Sequence, residues 1–188
     1  PKTPKPLLNE YEYLFLTWLI NNTRLFTSSP PSVFISRQVI LQETFKISDE
    51  DNYDSLLEIS YKSCPSVLFE ALVKIAEKNY KRIDQRTIHP VGFYCGMRSD
   101  GDEIINWNDN SRNIFNFIRA ISKPGPIART YNNNIEITIN NSSFIKDAPN
   151  YIGTTGQILS KTKIGYLVKT KDSFIEIFDI KGKLKVGD

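Results

Sequence analysis

Hydrophobic positions change their period several times along the chain. Tyr13, Leu14, Trp18 and Leu19 recur at helical spacing behind Asn9, a residue suited to an N-cap, and predict a helix to about residue 23. Ser28, Ser29, Pro30, Pro31 and Ser32 then break the pattern. Val39, Leu41, Glu43, Phe45 and Ile47 alternate with Ile40, Gln42, Thr44 and Lys46, which predicts a strand over 39–47. Ser48 follows as a helix cap, with Asp49, Glu50 and Asp51 placed in the first turn against the positive helix end. Leu56, Leu57, Ile59 and Tyr61, then Val67, Leu68, Ala71, Leu72 and Ile75, continue a helical period that Pro65 is expected to kink or split.

Asn79, Pro90, Gly92 and Gly96 interrupt periodicity over residues 79–96, and a domain boundary is expected near residue 90. Asp100-Gly101 forms a turn. One of Asp109, Asn110 and Ser111 caps a helix over 111–121, whose apolar face holds Ile114, Phe117, Ile118 and Ile121. Lys123-Pro124-Gly125-Pro126 ends it. From there the period is two, giving strands at 127–131, 135–140, 156–160, 165–170 and 174–178, with turns at 132–134 and 171–172. The expected fold class is a partial α/β domain over 1–90, followed over 91–188 by a leading helix and a small β-barrel of the oligonucleotide/oligosaccharide-binding type.

Composition narrows the class. The 188 residues are 40% hydrophobic, 24% charged and 12% aromatic, a globular mixture. No apolar run reaches the roughly 18–20 residues needed to span a bilayer, and no apolar core follows the Pro-Lys-Thr-Pro-Lys-Pro start, so a soluble, cytoplasmic protein without a membrane role is expected. The net charge is +3. From Met97 onward there are 13 Lys and Arg against 10 Asp and Glu, so the excess lies in the second half. That surplus is too thin to announce a nucleic-acid surface by itself. Cys64 and Cys95 are distant and unpaired in pattern, and with one histidine, His89, no zinc site is expected.

From Phe93 to Tyr131 the residues are more specific. Tyr94, Arg98, Asp100-Gly101, Ile105-Asn106-Trp107, Ile118-Arg119-Ala120, Pro124-Gly125 and Thr130 occur in order. This stretch resembles the formyltransferase family that includes methionyl-tRNA formyltransferase and the sugar N-formyltransferases. Asn106 replaces the family's usual aspartate. Gly156-Gln157-Ile158-Leu159, Leu167 to Asp172 and Lys185 to Asp188 resemble the family's closing segments, and 39–57 resembles its strand and helix after the active site. The family transfers a formyl group from 10-formyltetrahydrofolate to an amine, a reaction that needs a base and hydrogen-bond donors at the developing oxyanion.

The resemblance carries over unevenly. The family's catalytic asparagine, histidine and aspartate find no match: His89 falls between domains, and the register expected for the aspartate reads Ile35-Ser36-Arg37. No catalytic residue is therefore assigned. Substrate-binding candidates are Arg98, Trp107 and Arg119. Trp107 has two readings, stacking on a base or sugar ring or anchoring the helix that follows. Arg119 binds a phosphate or makes a structural contact. Asp100, Asp102 and Glu103 read as solvated turn carboxylates, and the aromatic face from Tyr11 to Trp18 as a buried helix side. The short ending at 178–188 and the weak basic excess point to a nucleotide-linked amino sugar as acceptor, with aminoacyl-tRNA and a non-catalytic binding module as alternatives. A homodimer stays open.

Overall fold

A computed structural model describes residues 38–88 and 98–188. The described residues group into two units: 48–56 with 98–188, and 38–47 with 57–88. The expected helix before residue 23, His89 and Cys95 lie outside the described residues.

In the smaller unit, β1 (Gln38–Val39) pairs antiparallel with β2 (Ile83–Asp84), Val39 opposite Ile83. The strand expected over 39–47 is thus realised only at its first position. Half-buried Phe45 and Ile47 still alternate with exposed Thr44 and Lys46, but no described strand lies alongside to complete a ladder. Helix α1 (Tyr53–Ala76), whose first residues to Leu56 group with the larger unit, runs unbroken through Pro65, so of the kink or split expected there the split does not occur.

Its cap is also corrected. Asn52 Oδ1 accepts from the Ser55 N–H at 3.0 Å, while the Asn52 N–H donates to Ser55 Oγ at 3.1 Å. This reciprocal pair is a capping box built on Asn52. Ser48 instead closes the preceding turn, its N–H and hydroxyl both donating to Asp51 Oδ2. At the other end Lys78 takes a φ of 54°, and Asn79 N donates back to Lys74 O at 2.9 Å, the wrap-around that terminates helices. A short α2 (Gln85–Ile88) follows β2.

The larger unit holds α3 (Ser111–Ala120) and β3 (Ala128–Asn132), β4 (Ile135–Ser143), β5 (Ile158–Lys161), β6 (Gly165–Lys169) and β7 (Phe174–Lys181). Asn110 is the cap of α3, its Oδ1 accepting from Asn113 N at 2.8 Å. The strands form one antiparallel sheet in the order β3-β4-β7-β6-β5. Asn133 and Asn134, both at positive φ, make the two-residue turn between β3 and β4, a conformation that asparagine tolerates.

The five strands expected to form a small open barrel make one open sheet. Closure needs β3 to pair with β5. Each edge is occupied by an irregular segment instead. Ile105 N donates to Arg129 O on β3, and Arg129 N to Glu103 O, both at 2.8 Å. On β5, Ile158 N donates to Asp188 O at 3.0 Å and Ile158 O accepts from Gly187 N at 2.9 Å. These segments satisfy edge groups that would otherwise stand open.

The core lies between α3 and the inner face of this sheet. Ile114 and Ile118 of α3 meet Ile137 and Ile139 of β4 and Ile175 and Ile177 of β7, in a cluster where each is 2% exposed or less. Replacing Ile118, which is 0% exposed, by alanine should cost about 2–5 kcal/mol of unfolding free energy, transfer and cavity terms together. Urea denaturation of the Ile118→Ala protein measures this, and a loss under about 1 kcal/mol would show that the site collapses freely.

Candidate functional site

The sequence Ile105-Asn106-Trp107-Asn108-Asp109 forms a tight turn ahead of α3. Asn106 Oδ1 accepts from Asn108 N at 3.2 Å, and Asp109 N donates to Asn106 O at 3.1 Å. This is an Asx-type turn, and either asparagine or aspartate supplies its side-chain oxygen. Asn106 supplies that oxygen here.

The turn presents Trp107 to β3, where Nε1 donates to Thr130 Oγ1 at 2.9 Å. Gly156 packs on the same indole at a φ of +84°; a Cβ there would stand 3.2 Å from Trp107 Cδ1. Both the backbone angle and the contact require glycine. Beside this fixed ring lies a cavity of about 300 Å³, lined by Trp107, Tyr131, Asn132, Thr155, Gln157 and Asp188, with Ile137, Ile177 and Leu184 supplying apolar wall. Thr155 Oγ1 donates to Asn108 Oδ1 at 2.7 Å. Asp188 is held by Asn132 Nδ2 and Lys185 N, both at 2.8 Å from its Oδ2. No lysine or arginine lines the cavity.

The other two predicted binding residues sit elsewhere and share no partner with Trp107. Arg98 forms an ion pair with Glu103. Arg119 is 6% exposed. Its Nε donates to Asn116 Oδ1 at 3.0 Å, and its Nη1 to the carbonyls of Ser48 at 2.5 Å and Asp51 at 3.0 Å. Its guanidinium lies 5.0 Å from the Phe115 ring centre. Arg112, two helical turns before it on α3, pairs with Asp49 at 2.6 Å and stacks 3.8 Å over Phe144. The two arginines thus tie the turn at 48–51 to α3.

Their charges show in the carboxylates they face. The Arg112 hydrogen bond holds the Asp49 pKa below its ordinary 3.8, against the opposing effect of burial, with the charges of Arg112 and Arg119 adding to it. Burial by itself would raise Asp51, but hydrogen bonds from Ser48 and Ser55 and the Arg119 charge bring it below 3.8. Burial lowers the Arg119 pKa, and Asp49 and Asp51 pull it back up.

A third polar cluster was not singled out as a site in the sequence. Asp172 Oδ1 accepts from Ser111 N at 2.8 Å, Ser111 Oγ at 2.7 Å, Thr170 Oγ1 at 3.0 Å and Ser173 N at 2.9 Å. Burial opposes ionisation here, yet the Ser111 and Thr170 hydrogen bonds carry the Asp172 pKa below 3.8. Next to it Lys169, 1% exposed, donates from Nζ to the carbonyls of Thr170 at 2.6 Å and Ser173 at 3.2 Å, and lies 4.4 Å from the Tyr151 ring centre. Both lie in the Leu167 to Asp172 segment that carries the family resemblance, but their partners are set only by the fold. Among the described residues, no three or more His, Cys, Asp or Glu side chains gather as a metal site, and Cys64 is a half-buried free thiol.

Residues 98–186 match the formyl transferase C-terminal domain. The chain resembles the C-terminal portion of the formyltransferase family. It is 36% identical over 141 residues to the methionyl-tRNA formyltransferase of Mycoplasma mycoides subsp. mycoides, covering 74% of this chain and 44% of that protein. The Staphylococcus aureus (strain MW2) methionyl-tRNA formyltransferase is 30% identical over 135 residues, 72% of this chain and 42% of its own. The chain thus spans less than half the length of these relatives. Among solved structures, the sugar 3N-formyl transferase WlaRD, with dTDP and 5-N-formyl-THF, superposes with a TM-score of 0.56 at 23% identity, over 79% of this chain and 51% of that one. HypX from Aquifex aeolicus in complex with tetrahydrofolic acid gives 0.53 at 16% identity, over 80% and 25%. These superpositions show a shared fold. No helix among the described residues is long and apolar enough to cross a membrane.

Two outcomes test the polar clusters. Asp49, Asp51 and Asp172 have folded pKa values below the ordinary 3.8, so the stability they confer is complete above that value and is lost as pH falls through the lowered ones. Unfolding free energy should hold from about pH 7 to pH 5 and decline steeply below about pH 4, and Asp172→Asn should shallow that decline. An unchanged acid slope would refute the assignment. Arg119→Met removes the donor to two carbonyls and should cost about 2–3 kcal/mol in chemical denaturation.

Proposed function

We propose that this chain contributes the acceptor-recognising portion of a formyltransferase acting on methionyl-tRNA, with residues 91–188 as the recognition domain and 1–90 as the end of the α/β portion. The observation that carries this is the 36% identity to a methionyl-tRNA formyltransferase across 141 residues. The amino-sugar acceptor expected from the sequence rests now on fold likeness to proteins 23% identical or less, which shows the fold alone.

In the reaction of such an enzyme the acceptor amine attacks the formyl carbon of 10-formyltetrahydrofolate. The bond from that carbon to N10 breaks, N10 takes up a proton, and the amine gives one up. The cavity beside Trp107 does not suit the folate: its lining offers no cation for the anionic glutamate tail and includes the Asp188 carboxylate. No chemical step is assigned to residues of this domain. Their part is to bind and orient the acceptor, which raises the effective concentration of the amine at the formyl donor. Trp107 is the acceptor-facing residue in this reading, while Arg98 and Arg119 maintain the domain's shape through the contacts described above.

The reading is tested by filter binding of methionylated initiator tRNA to the whole chain between about 50 and 200 mM salt. The complex should form at the low end and weaken progressively as salt rises, with a shallow slope that fits the small basic excess. Failure to bind at about 50 mM, together with binding of a dTDP-linked amino sugar, would transfer the proposal to the sugar acceptor.

A further inference from the structure

The cavity at Trp107 has the chemistry of a site for one ring. Its indole cannot turn: Thr130 holds Nε1 at 2.9 Å, and Gly156 is packed against the ring atoms Cδ1 and Cγ. Tyr131 stands at the opening, 51% exposed, with its hydroxyl tied to Glu136 at 3.2 Å. Two aromatic residues thus bound a space of about 300 Å³, larger than a purine or pyrimidine and too small for an oligonucleotide. Polar groups are present without net positive charge: the Asn132 and Gln157 amides, the Thr155 hydroxyl and the Asp188 carboxylate.

That combination selects against a phosphate, which asks for cations or converging backbone N–H groups. It favours an uncharged planar ring able to stack and to exchange hydrogen bonds with amides. We propose that this cavity binds a single unpaired nucleobase. Both acceptor classes of the family carry one, as an unstacked residue of a tRNA or as the base of a nucleotide-linked sugar. The inference extends the recognition role proposed above, but it depends only on the chemistry those acceptors share.

The experiment is ligand-observed NMR with the intact chain and free nucleosides (adenosine, uridine and thymidine), which lack phosphate. Saturation transfer to the base protons should be seen, with affinity on the order of 0.1–1 mM, as expected for a ligand of this size. Tyr131→Ala alters an exposed side chain and should weaken binding about tenfold. Trp107→Phe retains an aromatic packing partner and should weaken it as well, with the fold checked by circular dichroism. Inorganic phosphate should not compete. Two further arms identify the source: displacement of the nucleoside by methionyl-tRNA points to the tRNA, and displacement by a dTDP-amino sugar alone points to the sugar nucleotide. Nucleoside binding without displacement by tRNA leaves the cavity assignment standing and removes the tRNA reading. Absence of saturation transfer up to about 10 mM nucleoside, or transfer unchanged in Tyr131→Ala, overturns the assignment.

Discussion

Ile114 and Ile118 reach full burial only when α3 lies on the inner face of the five-stranded sheet, against Ile137, Ile139, Ile175 and Ile177. Fully burying an isoleucine side chain contributes about 1.5–3 kcal/mol, against about 0.5–1.5 kcal/mol net for a typical hydrogen bond. Seating the helix this way also fixes its second face. Arg112, Phe115, Asn116 and Arg119 recur at helical spacing and lie off the isoleucine stripe. From this face Arg119 reaches two carbonyls of the turn at 48–51 and Arg112 reaches Asp49. The segment before the helix is fixed as well, since Ile105 enters the same core and brings Trp107 to Thr130.

The helix ends show how polar groups follow from that packing. The N-terminus of α3 faces the β6–β7 turn, and Asp172 receives the Ser111 N–H there, a favourable place for a negative charge. Lys169, one strand residue before this turn, is drawn inside with its ammonium on two carbonyls of the same turn. A buried cation without a carboxylate is tolerable because carbonyl oxygens and the Tyr151 ring replace much of its water. The result is a rigid corner, and the 151–156 segment is attached to it through Tyr151 N to Asp172 O and Gly156 N to Lys169 O. Gly156 then closes on Trp107, so the cavity wall is anchored to the same corner.

Period and turn chemistry made the larger unit legible. The helix over 111–121 and all five strands were readable because each buries alternate or helical positions in one core and is bounded by Asn, Gly or Pro. What covers the edges of β3 and β5 was not readable, since those partners are the irregular segments at 103–105 and 187–188. The strand over 39–47 misled for a related reason: alternation marks a half-buried extended segment, and a strand needs a neighbour as well. At the cap of α1, Ser48 and Asn52 both carry suitable oxygens, and only the reciprocal bonds with Ser55 decide for Asn52. Resemblance located Trp107 and Arg119, but their partners in space separate them, one beside a cavity and one inside the protein.

That separation bears on how such a domain recognises an acceptor. An arginine available to a phosphate needs exposed donors, and Arg119 directs its donors to Asn116, Ser48 and Asp51 from a buried position. Arg98 faces Glu103, which neutralises much of its field. If the acceptor is a tRNA, as proposed, long-range attraction to it would come from the scattered excess of 13 basic over 10 acidic residues after Met97, sequence-independent and screened by salt. Discrimination has to come from a feature with shape. The cavity beside Trp107 has an aromatic wall, amide groups and no cation in its lining, so the proposed site would distinguish a base from a phosphate where a basic patch cannot. On the proposed reading, weak electrostatic capture and a local ring-binding site are complementary: the first would bring the acceptor near, and the second would fix its register before the amine reaches the formyl donor.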